Sequence, residues 1–326
     1  MTFRSLFLAV LLLVPSAAWA QREKLSLGYD TLAPSKAELW VGKEAGIFER
    51  NGLDVELNFF EGGSRGIQGL LSGGVSILSG GGSPSLHSML GGSDLVIIAG
   101  PGNSFPYLLL TSKEITKPEQ LKGKKLGISQ FGTSSDFASR FLLEKFGLKP
   151  MEDVALIQVG SIPARLAALQ GGAIQGTLLL PPVTGIARKM GLNVLANMAE
   201  LDLPFQQTCI ITTRAFIRDR RESVRKFMRA YVESIHYLKT RKPESLKVIA
   251  QYMKINDQEA IEESYDFFAL KTFPRKPYPT LKGLQIVLEE VAVKNPKAKS
   301  FNPEQAVDLS FMKELDDSGY IDRLYR

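Results

Sequence analysis

Side chains able to do covalent or acid–base chemistry are few in this 326-residue sequence, and they do not fall into a catalytic arrangement. Cys209 is the single cysteine and His87 and His236 are the only histidines. An intramolecular disulfide is therefore impossible, and a histidine-rich metal site cannot be assembled. There is no lysine-bearing phosphate loop, and Gly80-Gly81-Gly82 lacks the spaced third glycine of a dinucleotide fingerprint. Ser83 stands in Gly-Ser-Pro-Ser-Leu, where proline and leucine occupy the wrong places for a nucleophile elbow. His87 follows four residues later and could share a helix face with Ser83, but a core or solvent-facing histidine is the commoner use of that spacing. We expect no catalytic residue, no metal and no cofactor.

What does recur is a turn of small residues at the end of a strand, opening directly into a helix. It occurs at Pro34-Ser35, Gly62-Gly63-Ser64, Gly82-Ser83 and Gly132-Thr133-Ser134-Ser135. A helix N-terminus leaves backbone N–H groups unpaired and carries a partial positive potential, which suits carboxylate, sulfonate or phosphate oxygens. One such turn is ordinarily only a cap. Four of them, drawn from two lobes and facing one cleft, form a grip for a small anion. Arg65, directly after Ser64, is the best-placed cation for a bidentate hold on a planar anion, or else an exposed first-turn arginine. Trp40, Phe105, Tyr107, Phe131 and Phe205 could wall an apolar or aromatic ligand, though Trp40 fits a buried helical stripe equally well. With Pro181, which ends an apolar run from Ile174 to Leu180, the expected ligand-binding set is Ser35, Gly63, Ser64, Arg65, Gly82, Ser83, Phe131, Thr133, Ser134, Ser135 and Pro181.

These turns need a scaffold, and the hydrophobic pattern supplies one. Leu25 to Tyr29 reads as a strand, and Ser35 with Glu38 reads as a capping box opening a helix with Trp40 and Val41 on its inner face. Leu53, Val55, Leu57 and Phe59 alternate with polar residues, the period of a strand with one face buried. Val75 to Leu78 and Leu95 to Ala99 complete a first sheet. Strands Lys125 to Ser129, Val154 to Val159 and Ile174 to Leu180, separated by single helices, form a second. Beyond residue 214 the pattern is helical, with Val224, Phe227, Met228, Tyr231, Ile235 and Leu238 at three-four spacing. The fold class is α/β: two lobes, each a mainly parallel sheet flanked by helices, joined by crossing segments at Phe105 to Leu110 and Thr208 to Thr213. Residues 21–107 and 212–326 form lobe I and residues 108–211 form lobe II.

Residues 1–20 have the order of a cleavable export signal: Arg4, an apolar stretch from Leu6 to Val14, and the small-residue site Ala18-Trp19-Ala20. Cleavage after Ala20 leaves 306 residues, enough for two lobes, and no cysteine at the junction to carry a lipid anchor. The expected location is periplasmic, without direct membrane insertion. The formal charge is +6, with its densest cluster from Arg218 to Arg229 broken by Asp219 and Glu222 on a helix, which describes a solvated face and not a nucleic-acid patch.

At three places in order the sequence resembles a known family. Ala45-Gly46-Ile47-Phe48-Glu49-Arg50-Asn51-Gly52-Leu53-Asp54-Val55-Glu56-Leu57 is one. Leu121-Lys122-Gly123-Lys124-Lys125-Leu126-Gly127-Ile128-Ser129, with the Gly132-Thr133 turn, is the second. Phe146-Gly147-Leu148-Lys149-Pro150 followed by Asp153-Val154 is the third. Together they resemble the ABC-transporter solute-binding proteins of the alkanesulfonate, taurine, nitrate and thiamine-pyrimidine-precursor type, over roughly residues 25 to 240. The resemblance implies the type II periplasmic-binding-protein fold with two crossing hinge segments, and closure around one small organic anion or heteroaromatic solute. It also implies a monomer that docks on the membrane permease of an ABC importer. By position, Ser35, Gly63, Ser64, Ser83, Thr133, Ser134 and Ser135 match turns that face the cleft in that family. Lys36 is a departure, because the family's first helix usually begins there with proline and small or aromatic residues. The scaffold also carries enzymes of the pyrimidine-precursor synthase and menaquinone-pathway lyase types. The former use a cysteine-rich motif that this chain lacks, and the export signal argues against cytoplasmic metabolism. A ligand-binding sensory protein is the other alternative.

Overall fold

The alternation of Leu53, Val55 and Leu57 with Asp54 and Glu56 does form a strand buried on one face, at the edge of a five-stranded sheet. A computed structural model describes residues 22–201, 204–292 and 295–326; the export signal lies outside the described residues. Along the chain the strands are β1 (Glu23–Tyr29), β2 (Leu53–Phe59), β3 (Ile77–Gly81) and β4 (Leu95–Gly102), then β5 (Leu108–Thr111), β6 (Lys125–Ile128), β7 (Ala155–Gln158), β8 (Gly176–Leu179) and β9 (Asn193–Asn197), and last β10 (Thr208–Thr213). They form two sheets, in the orders β2-β1-β3-β10-β4 and β7-β6-β8-β5-β9.

Within each sheet three strands linked through helices run parallel, as helical crossovers allow. The remaining pairings are antiparallel: β10 enters between β3 and β4, and β5 between β8 and β9. The sheets are therefore mixed, and the segments expected to be free crossings are partly strand. Thr208–Thr213 is all β10, and Leu108 to Leu110 belongs to β5. A boundary between 211 and 212 would cut β10. The chain instead passes between the sheets at 103–107 and returns through 204–207, as apolar strand residues at both ends are drawn into ladders that satisfy their backbone groups.

The crossings are packed, not loose. Phe105 and Phe205, one on each, stack with ring centroids 3.8 Å apart, and Phe137 of the second lobe lies 4.8 Å from Phe205. All three are buried. These rings form the core of the junction and do not wall a ligand. The neighbouring Gln206 side chain ties the strand ends together: its amide N–H group donates to the carbonyls of Gly102 and Thr208, and its oxygen accepts from Thr280 N–H at 2.6 Å.

The C-terminal helices return to the first sheet. Helix Arg221–Thr240 buries Val224, Phe227, Met228, Tyr231, Ile235 and Leu238, the three-four stripe of the sequence, against helix Ala37–Glu44. Trp40 on that shorter helix is fully buried and stacked on Tyr252, which makes it core. At Gly42 the helices approach so closely that a Cβ would meet Ser234 Oγ at 2.4 Å. The C-terminal part also touches the second lobe. Lys189, on helix Val183–Lys189, bonds Asp257 at 2.9 Å and Glu259 at 2.8 Å.

The capping box expected at Ser35 and Glu38 does not form. Pro34–Lys36 is a short 3-10 turn, and the helix starting at Ala37 has no side-chain cap. Glu38 turns instead into the core beside the Tyr231 hydroxyl, 3.4 Å away. Burial pushes its carboxyl up from 4.5 to about 8, against the nearby charge of Lys36, so folded protein holds a proton there that unfolded chain releases. A carboxyl raised in this way adds stability that is whole below the unfolded value and is lost as pH rises through the folded one. Urea titrations from pH 4.5 to 8 are expected to show stability falling with pH, with a shallower slope for Glu38→Gln.

Candidate functional site

The ends of three parallel strands in each lobe meet across one cleft. Asp30, Phe59 and Gly81 stand at or just past the ends of β1, β2 and β3, and Ser129, Gly160 and Leu180 just past β6, β7 and β8. Together with the turns that follow, they line a cleft of about 640 Å³ including its open mouth. This is where an open α/β sheet places its ligand crevice. Tyr107 and Gln207 of the crossings, with Thr208 at the start of β10, also line it.

Five of the expected residues line this cleft: Ser35, Gly63, Thr133, Ser134 and Ser135. Thr133 and Ser135 share their hydroxyls with Ser129 in a tight network, at 2.9 Å each. Ser134 Oγ faces Gly81 of the other lobe so closely that a Cβ on that glycine would lie 2.8 Å from it. The other six stand outside the lining. Ser64 follows Gly63 in the first turn of helix Gly63–Leu71. Gly82 and Ser83 are buried behind Gly81, and a Cβ at Gly82 would strike the Gln206 carbonyl oxygen at 2.2 Å, so this glycine lets the helix pass the second crossing. Arg65 is 59% exposed and bonded to Glu61 at 3.2 Å. Phe131 is exposed, and Pro181 comes after Leu180 in a cis peptide bond with Pro182.

Of the helices that open at the cleft, Gly63–Leu71, Gly82–Leu90 and Ser134–Lys145 have no side-chain cap, as is also true of Arg221–Thr240 and Lys242–Met253 elsewhere, whereas Ile162–Gln170 is capped by Ser161, whose Oγ accepts from Ala164 N–H. First-turn N–H groups that no side chain takes are donors available to a ligand.

Two buried cations line the cleft, and both escaped the sequence reading as ligand groups. Lys36 is wholly committed to the protein. Its ammonium donates to Ser79 O at 3.0 Å and Ser79 Oγ at 3.1 Å, and pairs with Asp30 Oδ1 at 3.1 Å. Asp30 in turn accepts from Gly81 N–H at 3.0 Å. All three ammonium donors are used and the charge is balanced.

Arg165 is different. It lies on helix Ile162–Gln170, is only 3% exposed, and donates through Nη1 to the Leu178 carbonyl at 2.7 Å. Its Nε is buried without a partner, and among the described residues it forms no ion pair with any carboxylate. Burial lowers its guanidinium to about 10, which reports the cost of holding that charge away from water. Beside it, burial pushes the Tyr107 hydroxyl up to about 12, with the Arg165 charge and a 2.9 Å hydrogen bond from Gln207 acting the other way. A sequence signal for Arg165 existed: it occupies the apolar face of its helix, at i+3 from Ile162 and next to Leu166 and Leu169. Lone arginines on buried faces need an anionic partner, and this one faces a cleft.

Comparisons with known proteins agree with this fold. A family model described as NMT1/THI5 like matches residues 33–245. A binding protein of Bacillus subtilis, YtlA, is 23% identical over 282 residues, 84% of each chain. The taurine-binding periplasmic protein of Escherichia coli is 28% identical over 193 residues, 58% of this chain and 57% of that one. Among solved structures, the alkanesulfonate-binding protein SsuA of Xanthomonas axonopodis, bound to MOPS, superimposes with a TM-score of 0.75 at 20% identity, covering 89% of this chain and 99% of that one.

Proposed function

The chain belongs to the NMT1/THI5-like family, and from that membership we propose that it is the periplasmic solute-binding component of an ABC importer, taking a small organic anion between its lobes. The observation that carries the anionic assignment is Arg165, a buried guanidinium in the cleft with no carboxylate partner among the described residues. A ligand anion supplies that partner, and a charge-assisted pair out of water is the strongest single contact the cleft can make. The uncapped helix N-termini at Gly63 and Ser134 add N–H donors for the remaining oxygens. Leu32, Phe59, Pro84, Ile162 and Leu180 offer apolar surface for the rest of the solute.

Because Lys36 and Asp30 cancel, the cleft presents one net positive charge, which suits a monoanion such as a sulfonate or carboxylate. Solute exchange requires the lobes to part about residues 103–107 and 204–207, and the closed form is the one presented to the permease. The names of relatives support transport: one binds taurine by name and others are named as binding proteins. The lobe limits follow the sheets, with residues 108–207 as the second lobe.

A thermal-shift series with taurine, an alkylsulfonate, an aromatic carboxylate, nitrate and a neutral pyrimidine tests the assignment. At one hundred times its dissociation constant, a ligand of the folded state adds about 2.7 kcal/mol. Stabilisation is expected from organic monoanions. Stabilisation by the neutral pyrimidine alone rejects the anionic reading.

A further inference from the structure

Glu61 stands in the turn between β2 and helix Gly63–Leu71 of the first lobe, and it reaches across the cleft mouth. The Ser161 N–H of the second lobe donates to Glu61 Oε1 at 3.0 Å. The other carboxylate oxygen accepts from Arg65 Nη1 at 3.2 Å. Two glycines, one from each lobe, make the approach possible. Gly160 has φ +96°, and a Cβ there would lie 2.8 Å from Glu61 Oε1; Gly62 has φ +93°, and a Cβ there would lie 3.0 Å from Gln130 Oε1. Each lobe thus offers bare backbone to one polar side chain of the other.

Ser161 is the N-cap of helix Ile162–Gln170, the helix that carries Arg165. A carboxylate at a helix N-terminus is held both by the N–H it accepts and by the helix dipole. We infer that Glu61 is a positioning residue for the solute site: its carboxylate latches the first lobe to the start of the Arg165 helix, so that cleft closure and the aim of the guanidinium are set by one contact. Arg65 keeps that carboxylate oriented from its own lobe, one helical turn away. The inference rests on the reading that the two lobes part and close around a solute.

Hydrogen exchange read at peptides spanning residues 160–165, together with the radius of gyration from small-angle scattering, tests the latch without any ligand. In Glu61→Ala, exchange at that segment is expected to accelerate about tenfold, in line with losing one charge-assisted hydrogen bond at a part-exposed site, and the particle to expand. Glu61→Gln keeps an acceptor and is expected to restore most of the protection. Glu61 is 41% exposed, so both variants should fold and melt as the parent does. Unchanged exchange in Glu61→Ala, equal loss in Glu61→Gln, or acceleration spread evenly over both lobes overturns the inference. The anion series run on the same samples keeps the two ideas apart: a parent that responds to anions beside an unchanged Glu61→Ala sinks the latch and leaves the solute-binding reading standing.

Discussion

Arg165→Met is expected to abolish anion binding while melting no lower than the parent protein. The two outcomes have one cause. Removing one partner of a buried charged hydrogen-bonded pair typically costs about 2–5 kcal/mol of binding, so affinity for an anion that stabilises the parent should fall at least 30-fold. The fold, in contrast, is relieved of a guanidinium that is buried against Tyr107 and the Leu178 carbonyl with no carboxylate among the described residues to offset its desolvation. Methionine fills similar space in the apolar row of Ile162, Leu166 and Leu169. Calorimetric titration with the best anion of the series and a melting curve on the same sample measure both. A variant that still binds within threefold of the parent removes Arg165 from the site, and a large drop in melting temperature marks it as a structural arginine.

Lys36→Met is expected to do the reverse to the fold. Lys36 is as buried as Arg165, but its charge is answered by Asp30 and its donors by Ser79. Taking it away leaves Asp30, 7% exposed, with a negative charge held only by Gly81 N–H and the Thr31 hydroxyl. Breaking a buried pair from one side costs roughly 3–5 kcal/mol. For lobes of this size that is a fall on the order of 10 °C in melting temperature. The double variant Asp30→Asn with Lys36→Met removes both charges and should recover most of the loss. If Lys36→Met alone costs under about 1 kcal/mol, the pair does not support the fold. The Arg165 and Lys36 changes are thus expected to part on one property, the presence of a carboxylate on the protein side.

The sequence made some of this legible and hid the rest for physical reasons. The period-two run of β2 and the three-four stripe of helix Arg221–Thr240 encode burial directly, and both are found where expected. The small-residue turn at Gly132 to Ser135 is legible because chain reversal into a helix needs such residues, and its Thr133, Ser134 and Ser135 line the cleft. β5 and β10 were not legible as strands, because a short apolar run reads the same whether it links two sheets or completes one. Phe105 and Phe205 show the same degeneracy: an aromatic ring beside a crossing serves a junction core or a ligand wall, and only their 3.8 Å stacking decides. Arg65 and Arg165 differ in a way that spacing does not carry. Glu61, four residues before Arg65, supplies it with a partner on the surface, while no acidic residue among those described reaches Arg165.

Cys209 lies in β10, flanked by β3 and β4, with no exposed surface and its thiol pushed upward by burial. A thiol in that state is inert while the sheet is intact. It becomes reactive only when the strand bearing it leaves its neighbours, which is the unfolding of the first lobe. The rate at which a thiol reagent labels the protein therefore counts openings of that lobe alone, a built-in clock that the second lobe cannot start.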